Sequence, residues 1–216
     1  MKKHLLIAIL ATAIIGCSPE TSSNETENEF AKTTGFDKEI LSDLNNIGGD
    51  SIQQLPTIDQ ETGEMNTDSL FPGFYYSTTE EKAYTFVKTH KSNYRKKGYL
   101  VFMHGNGVSM YNVAVIKGTE EFDILKYRRT DGINHGLETE DIIKRALEWK
   151  SKYGVSIMGC GRDWVHMEFD KLPSDISAFA DEVYAFCPDS VDQGVGSIEE
   201  LRKAILQMRG VWLWWD

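Results

Sequence analysis

The segment around which the chain is organised reads Tyr184-Ala185-Phe186-Cys187-Pro188-Asp189-Ser190-Val191-Asp192-Gln193-Gly194-Val195-Gly196. It lies between two helical patterns. Pro188 has no backbone N–H with which to continue the preceding helix, and Gly194 and Gly196 permit backbone angles closed to other residues. The sequence therefore specifies the shape of this turn, and we expect the functional site here. No complete catalytic or cofactor motif accompanies it.

Helices flank this turn, and an aromatic strand follows them. Ser174 is the predicted cap of a helix that stops at Pro188, and residues 197–200 form a capping box for a helix over residues 198–207. Residues 211–215 predict a strand that pairs inside the sheet with both faces largely covered. The alternative is an aromatic tail that docks onto a partner or a membrane interface, where tryptophan is also favoured.

Upstream, helices again alternate with strands. The pattern Ser77-Thr78-Thr79-Glu80 predicts a capping box for a helix to about residue 94, and strands are predicted at 99–103, 111–116 and 122–127. Thr139 is the predicted cap of a helix that ends at Gly154. Short strands are then expected at 155–158 and 163–169, with Trp164, His166 and Glu168 on one face of the second.

These elements predict an α+β fold with a single domain over residues 77–216. Its sheet is mixed and mostly antiparallel, with helices packed on it and the tryptophan-rich strand included. Residues 80–116 and 140–169 repeat the order helix, strand, strand. Residues 36–76 carry weak signals, among them those of a short helix over residues 37–44, and are expected to form a loosely structured lead-in.

The start of the chain has the features of a lipoprotein signal peptide over residues 1–16. Lys2 and Lys3 precede an apolar run that is too short to span a bilayer, and Cys17 follows at once. The site around Cys17 resembles a lipobox, which implies a diacylglyceryl anchor. Residues 17–35 are polar and predict a flexible tether. We expect a location in the cell envelope, outside the cytoplasm, and Ser18 favours the outer membrane if the cell has one.

Charge makes nucleic acid an unlikely partner class. The formal net charge is -10, and removal of the signal peptide takes away two lysines and no acid. Phosphate backbones require clustered lysine and arginine, whereas an acidic surface suits solvent or a basic partner. The expected partners are therefore the membrane, through Cys17, and an unidentified protein.

Cys160 and Cys187 are the two cysteines that remain once Cys17 is acylated. They could pair in an oxidising envelope. Both adjoin apolar segments, however, and a buried free cysteine packs as a small hydrophobic residue. Both alternatives stay open from sequence alone.

Several ordered motifs carry a family resemblance, which is strongest over residues 122–216. They are Thr130-Asp131-Gly132-Ile133-Asn134, Gly159-Cys160-Gly161-Arg162-Asp163-Trp164, Phe186-Cys187-Pro188-Asp189 and Leu213-Trp214-Trp215-Asp216. The chain resembles domain of unknown function 4253, an uncharacterised bacterial family. The resemblance implies a domain identity without an established reaction, so it assigns no catalytic role.

Six residues at element ends or in loops form the candidate binding cleft, because loops usually display functional groups. They are Asn134, Asp163, Trp164, Asp189, Asp192 and Gln193. The structural alternative is nearly as strong, since Asn and Asp shape turns and tryptophan is more often core.

The spacing of the potential ligand residues gives little support for a metal or cofactor site. Counted from Asp189, Gly194 and Glu200 stand at EF-hand positions, but Val191 and Gln193 interrupt the oxygen ligands. The histidines show no zinc-binding spacing, so we expect no metal and no cofactor. Cys187 with His166 or His135 is the only candidate nucleophile and base.

We therefore expect a lipid-anchored cell-envelope protein that acts as a binding or interaction module. An immunity-type role, in which an acidic surface neutralises a basic toxin, is one version. The alternative is an envelope hydrolase that uses Asp163, Asp189 and Asp192 as acid/base groups or ligands.

Overall fold

The computed structural model describes residues 29–32, 34–48, 52–105 and 111–216. The predicted signal peptide and the predicted acylation site Cys17 lie outside these residues. The helices are α1 Lys38–Asn45, α2 Glu80–Lys96, α3 Asp123–Arg128, α4 Thr139–Tyr153, α5 Ile176–Phe186 and α6 Ile198–Met208. The strands are β1 Gln53–Ile58, β2 Met65–Thr78, β3 Tyr99–Gly105, β4 Tyr111–Lys117, β5 Val155–Cys160, β6 Trp164–Phe169 and β7 Gly210–Trp214. A 3₁₀ turn covers Ile133–His135, and a π-helix covers Ser190–Val195.

One sheet of seven strands organises the fold, in the order β1-β2-β4-β3-β5-β6-β7. Every neighbouring pair is antiparallel except β3 and β5, which run parallel with Met103 opposite Gly159. The predicted mixed, mostly antiparallel sheet of an α+β domain is therefore confirmed, and β7 is part of it. The repeated helix-strand-strand order is also present, as α2-β3-β4 and α4-β5-β6. The first strands of the two repeats, β3 and β5, are the parallel neighbours in the sheet.

Helices cover the sheet from both faces, which produces two cores. The first core lies against α3, α4, α5 and α6 and includes Trp149, Phe179 and Leu213. The second lies against α1 and α2 and includes Leu41, Val87 and Met158. Consecutive side chains of a strand point to opposite faces, so β3 supplies Phe102 to the first core and its neighbours Val101 and Met103 to the second.

Residues 36–76 differ from the expected loosely structured lead-in. They contain α1, β1 and most of β2, and the apolar face of α1 is fully buried through Ile40, Leu41 and Leu44. Pro56 in the edge strand β1 and the exposed first half of β2 conceal these strands in the sequence, because prolines and polar residues normally indicate loops.

The end of the predicted tether contains helical structure. Within the expected range 17–35, residues 29–32 and 34 are helical. The Phe30 ring packs against Phe74, with centroids 5.0 Å apart. Burial of this aromatic ring holds the segment against the second core.

The predicted strand over residues 122–127 is wrong, since these residues contribute to helix α3. Ile124, Leu125 and Arg128 are buried in it, which is a helical spacing. The segment is too short for its apolar residues to distinguish a period of two from one of 3.6. Arg129 ends the helix in the left-handed region, with φ of 52°.

Three predicted helix caps are displaced by one or two residues. Ser77 lies in β2, and Thr79 caps α2 by accepting a hydrogen bond from the Lys82 N–H. Asp175 caps α5 in place of Ser174, and Glu138 with Asp141 forms the capping box of α4 in place of Thr139. Ser197 caps α6 as predicted, with Glu200 N–H as its donor.

Strand β7 has one fully buried face and one half-buried face. Val211, Leu213 and Trp215 lie in the first core, and Trp215 is 2% exposed. Trp212 and Trp214, on the other face, are only half-buried. The expectation that both faces are largely covered is therefore met on one face alone.

Both described cysteines are free and buried. Cys160 and Cys187 belong to the first core, so the packing alternative is confirmed and the disulfide is not formed. Burial raises the pKa of the Cys160 thiol to about 12 and raises that of Cys187.

Candidate functional site

The structure separates the six predicted cleft residues into two groups. Asp189 lies beside the π-helix and Gln193 lies within it, and Asn134 is exposed on the adjoining 3₁₀ turn. Trp164 lies on a face of β6. Asp163 precedes it with an exposed side chain, and its carbonyl oxygen accepts a hydrogen bond from Trp215 N–H at 2.8 Å.

Asp189 is a hydrogen-bonding centre that ties three segments together. Its Oδ2 accepts from the Asp216 N–H at 3.0 Å and lies 2.7 Å from His135 Nε2. The Asp216 N–H, helped by Gln193 and His135, holds the pKa of Asp189 below its ordinary value. Asp192 is exposed and accepts from the Tyr184 hydroxyl at 3.2 Å. These carboxylates act as structural acceptors in the fold.

The π-helix covers the outer edge of β7. Cys187 Sγ donates to the Trp214 carbonyl oxygen at 3.0 Å, and Ser190 Oγ lies 3.4 Å from the Trp212 carbonyl oxygen. An uncovered edge strand is a template for pairing with other chains. The segment around Pro188 therefore has a clear structural role, which is to protect this edge.

The structure does not bring Cys187, the predicted nucleophile, together with His166, one of its two predicted bases. Cys187 lies in the first core with Val165 and Met167, whereas His166 points to the opposite face of β6. The raised pKa of Cys187 keeps it a protonated thiol, and a reactive cysteine requires a thiolate. The other candidate base, His135, is bonded to Asp189.

Trp164, from the second group, belongs to an open face of the sheet. We define the open face as the side chains of Trp164, His166 and Glu168 on β6 and Trp212 and Trp214 on β7. None of them belongs to the second core, whose described members end at Met158 on β5. Half-buried tryptophans therefore meet solvent on this side of the sheet.

Rings on the open face contact one another across the strands and across to helix α2. Trp164 stacks on Trp212 with centroids 4.8 Å apart, and His166 stacks on Trp212 at 5.2 Å. Tyr84 of α2 is stacked with His166 at 6.1 Å. Gly161 permits this arrangement, since a Cβ there would lie 2.1 Å from Trp164 Nε1.

His166 is buried without a hydrogen bond. Its residue exposure is 7%, and neither ring nitrogen has a partner within the described part of the chain. Burial lowers its pKa to about 4, although the neighbouring Glu168 acts in the opposite direction. The imidazole is therefore neutral at pH 7, with one donor and one acceptor nitrogen unused.

Charged side chains continue the open face toward the end of α2. Glu168 accepts hydrogen bonds from the Tyr84 hydroxyl, at 2.6 Å, and from Lys88. Burial would raise the pKa of Glu168, but Lys88 and Tyr84 outweigh it and hold the pKa below its ordinary value. Glu168 therefore remains a carboxylate.

The buried Glu121 forms a second ion network, next to the one that Glu168 forms with Lys88. It is 3% exposed, and its carboxylate contacts Lys91 at 2.7 Å and Arg95 at 3.3 Å. It also accepts the Ile157 N–H at 2.8 Å. Burial opposes ionisation of Glu121, yet Lys91 and these hydrogen bonds hold its pKa below the ordinary value. The network attaches α2 to β5.

Two cavities lie in the groove between α2 and the part of the sheet formed by β5, β6 and β7. The cavity at the start of α2 has a volume of about 530 Å³ and is lined by Glu80, Glu81, Tyr84, Met103, His166 and Trp212. The other cavity has a volume of about 830 Å³. Its lining includes the charged residues of both ion networks, which are Lys88, Glu168, Lys91, Arg95 and Glu121. Volumes of this order accommodate small ligands or single side chains.

Sequence reasoning identified Trp164 but not its partners. Tyr84 and Trp212 reach the site from α2 and β7, which are distant in the chain. The alternation of Trp164, His166 and Glu168 opposite Val165 and Met167 was visible in the sequence of β6, but no local pattern connects that face with Tyr84 or Trp212.

Among the described residues, no helix has the length and apolar composition needed to cross a membrane. The same residues contain no group of three or more His, Cys, Asp or Glu side chains that could hold a metal ion.

Residues 112–216 match the family model described as Domain of unknown function (DUF4253). The match covers β4 to β7 and every helix after α2, so both the π-helix and the open-face strands lie within it. No curated protein and no solved structure matches the chain.

Proposed function

Residues 112–216 belong to the DUF4253 family of domains of unknown function, and on this premise we propose that the protein is a lipid-anchored binding module of the cell envelope. Its binding surface is the open face, together with the start of α2. The observation that carries this proposal is that Trp164, Trp212 and Trp214 remain half-buried outside both cores.

Aromatic side chains at the surface are characteristic of binding sites. Tryptophan and tyrosine dominate the energetics of protein interfaces, because they bury a large area and still carry a polar group. A fold has no internal reason to leave neighbouring tryptophan rings half in water. A partner that covers Trp164 and Trp212 would complete the burial that the sheet leaves unfinished.

Lipid anchoring is supported by the sequence alone. The basic start, the short apolar run and the lipobox-like site before Cys17 agree with one another. Acylation with more than one chain gives durable attachment to a membrane. The anchor would hold the domain at the envelope surface, where a protein partner is met.

The hydrolase alternative uses Asp163, Asp189 and Asp192. Asp189 is committed to Asp216 and His135, and Asp192 to Tyr184. The pair of His135 and Asp189 resembles a base with its orienting carboxylate. It also has a sufficient structural explanation, since it ties the 3₁₀ turn to the π-helix. We therefore favour binding over hydrolysis.

Fractionation tests the anchor. Acylation requires the Cys17 thiol, so Cys17→Ser should move the protein from the detergent-soluble membrane fraction to a soluble or unprocessed form. Metabolic labelling with a fatty acid should mark the wild type and not the variant. Unchanged fractionation together with an unlabelled wild type would refute anchoring.

Capture from envelope extracts tests the binding surface. The Cys17→Ser chain serves as bait beside the same chain with Trp212→Ala, and Leu206→Ala is the control because Leu206 is an exposed apolar residue on α6. We expect one partner to be captured by the parent and by the control and to be lost with Trp212→Ala. Hydrolytic turnover that disappears with Asp163→Ala would instead support the alternative.

A further inference from the structure

We propose that the cavity between the start of α2 and the open face receives an arginine side chain of the partner protein. This inference rests on the proposed binding function and adds the chemistry of its recognition. The relevant lining groups are Glu80 and Glu81 on α2, Tyr84 one turn further, Met103 on β3, His166 on β6 and Trp212 on β7.

Charge favours a cation in this cavity. Glu80 and Glu81 line it, and its described lining residues include no lysine and no arginine. Acids in the first turn of a helix also stabilise its N-terminus, whose partial charge is about half a positive charge. Two carboxylates exceed that partial charge, so the mouth of the cavity keeps a negative potential.

His166 provides an independent indication that a ligand belongs here. The residue is more than nine-tenths buried, it lines the cavity, and both ring nitrogens lack a hydrogen-bond partner among the residues described. Buried polar groups in folded proteins nearly always have a partner. A neutral imidazole has an acceptor nitrogen, so a ligand with N–H donors would satisfy it.

The aromatic rings select the shape of the cation. Trp212 and Tyr84 flank the His166 ring, with centroids 5.2 and 6.1 Å from its centroid. A flat guanidinium stacks on aromatic faces and carries five N–H donors. These donors can reach the carboxylates and the imidazole together. A quaternary ammonium has no N–H and would leave His166 unsatisfied.

The charge of the whole chain supports a basic partner. The formal net charge of -10 attracts positively charged proteins over distances longer than a contact. Complementary charge mainly sets the association rate and the choice of partner. The cavity would add a specific contact point for one arginine within that wider attraction.

Peptide titration tests the inference. The probe is the peptide acetyl-Gly-Gly-Arg-Gly-Gly-amide, and the control peptide carries citrulline, a neutral isostere of arginine, in its place. Each peptide and tetramethylammonium chloride are titrated into the full chain carrying Cys17→Ser. Tryptophan fluorescence and the ring NMR signals of His166 report binding. We expect saturable binding of the arginine peptide that is at least roughly tenfold tighter than that of the citrulline peptide or of tetramethylammonium.

Matched variants locate the binding. Glu80→Gln with Glu81→Gln should weaken binding roughly tenfold or more. The control pair Glu199→Gln with Glu200→Gln changes the net charge equally in the first turn of α6 and should leave binding unchanged. Trp212→Leu should abolish binding, whereas Leu206→Ala, at an exposed apolar position of α6 outside the cavity lining, should not. Equal melting temperatures establish that the variants are folded.

The outcomes separate this inference from the proposed function. Equal binding of the arginine and citrulline peptides, or equal loss with both glutamate pairs, would overturn the arginine site. If an envelope partner is nevertheless captured only when Trp212 is present, the binding function stands without it. Binding of the arginine peptide that disappears only with the cavity variants supports both.

Discussion

His166 lies directly opposite Trp212 in the antiparallel β6–β7 ladder, and the two rings stack with centroids 5.2 Å apart. The contact lies on the α2 side of the sheet, beyond Met158 of β5, where the described members of the second core end. There the neutral, unpaired imidazole stacks with both the Trp212 indole and the Tyr84 ring. This relationship is the basis of the proposed binding surface.

The buried histidines should make the protein less stable as the pH falls below about 7. Burial lowers the pKa of His166 to about 4 and that of His104 to about 3, despite the nearby Glu168 in the first case. The unfolded chain takes up these protons near pH 6.5, so between about pH 6.5 and 4 it binds more protons than the native state. The free energy of unfolding must decrease across that range.

Urea unfolding at a series of pH values measures this effect. One pKa unit corresponds to about 1.4 kcal/mol, so His166 alone should account for a loss of about 3 kcal/mol by pH 4. His166→Gln should flatten the dependence of the unfolding free energy on pH. A slope identical to that of the wild type would show that folding does not lower the pKa of His166.

Glu121 should be essential to stability. It is 3% exposed and compensates Lys91 and Arg95. Glu121→Gln leaves a buried positive charge without its counter-ion, which typically costs about 3 to 5 kcal/mol. Chemical unfolding should show this loss, whereas Glu120→Gln, at an exposed neighbouring position, should cost less than about 0.5 kcal/mol.

A second substitution distinguishes lost charge compensation from lost packing. Adding Lys91→Met to Glu121→Gln removes the orphaned charge and should recover a large part of the stability. If the double variant is as unstable as Glu121→Gln alone, the ion pair is not the reason for the loss.

Strand β7 should be required for folding. Trp215 is 2% exposed, packs against the Phe186 ring with centroids 5.8 Å apart and covers Gly132. Truncation of a core tryptophan to alanine costs about 3 to 5 kcal/mol, so Trp215→Ala should lower the melting temperature much more than Trp214→Ala. Deletion of residues 210–216 should abolish the cooperative thermal transition. A truncated protein that melts like the full chain would make the strand an interaction tail.

The two described cysteines should resist thiol reagents in the folded protein. The pKa of Cys160 is raised to about 12 and that of Cys187 is also raised, so neither thiol ionises near neutral pH. A colorimetric thiol assay on the Cys17→Ser chain should detect no rapid reaction under native conditions and both thiols in denaturant. Absence of both thiols in denaturant, restored by a reductant, would indicate the disulfide that the structure lacks.

Sequence patterns predicted the sheet and most of its elements because the hydrophobic pattern of a single segment is often sufficient to identify a strand or a helix. The alternation on β6 and the continuous apolar run of β3 identified those strands from local information. The strands within residues 36–76 were missed because β1 contains Pro56 and half of β2 is exposed, whereas the short helix over residues 37–44 was predicted and corresponds to α1. Their strand structure depends on pairing with β4, which no local pattern encodes.

The candidate site was only partly predictable for a related reason. The polar turn at Asp189 attracted attention because turn residues and functional residues have the same composition. In the fold, that turn protects the edge of β7. The open face depends on contacts between Tyr84, His166 and Trp212, which only the tertiary structure brings together.

Photo-crosslinking in living cells tests the central claim most directly. In the chain that retains Cys17, a benzophenone amino acid replaces Trp164 or Trp214 on the open face, and Leu147 or Leu206 at exposed positions of α4 and α6. If the open face binds an envelope partner, irradiation will produce a crosslinked species from positions 164 and 214 and none from 147 and 206. Crosslinks from 147 or 206, with none from the open face, would contradict the account.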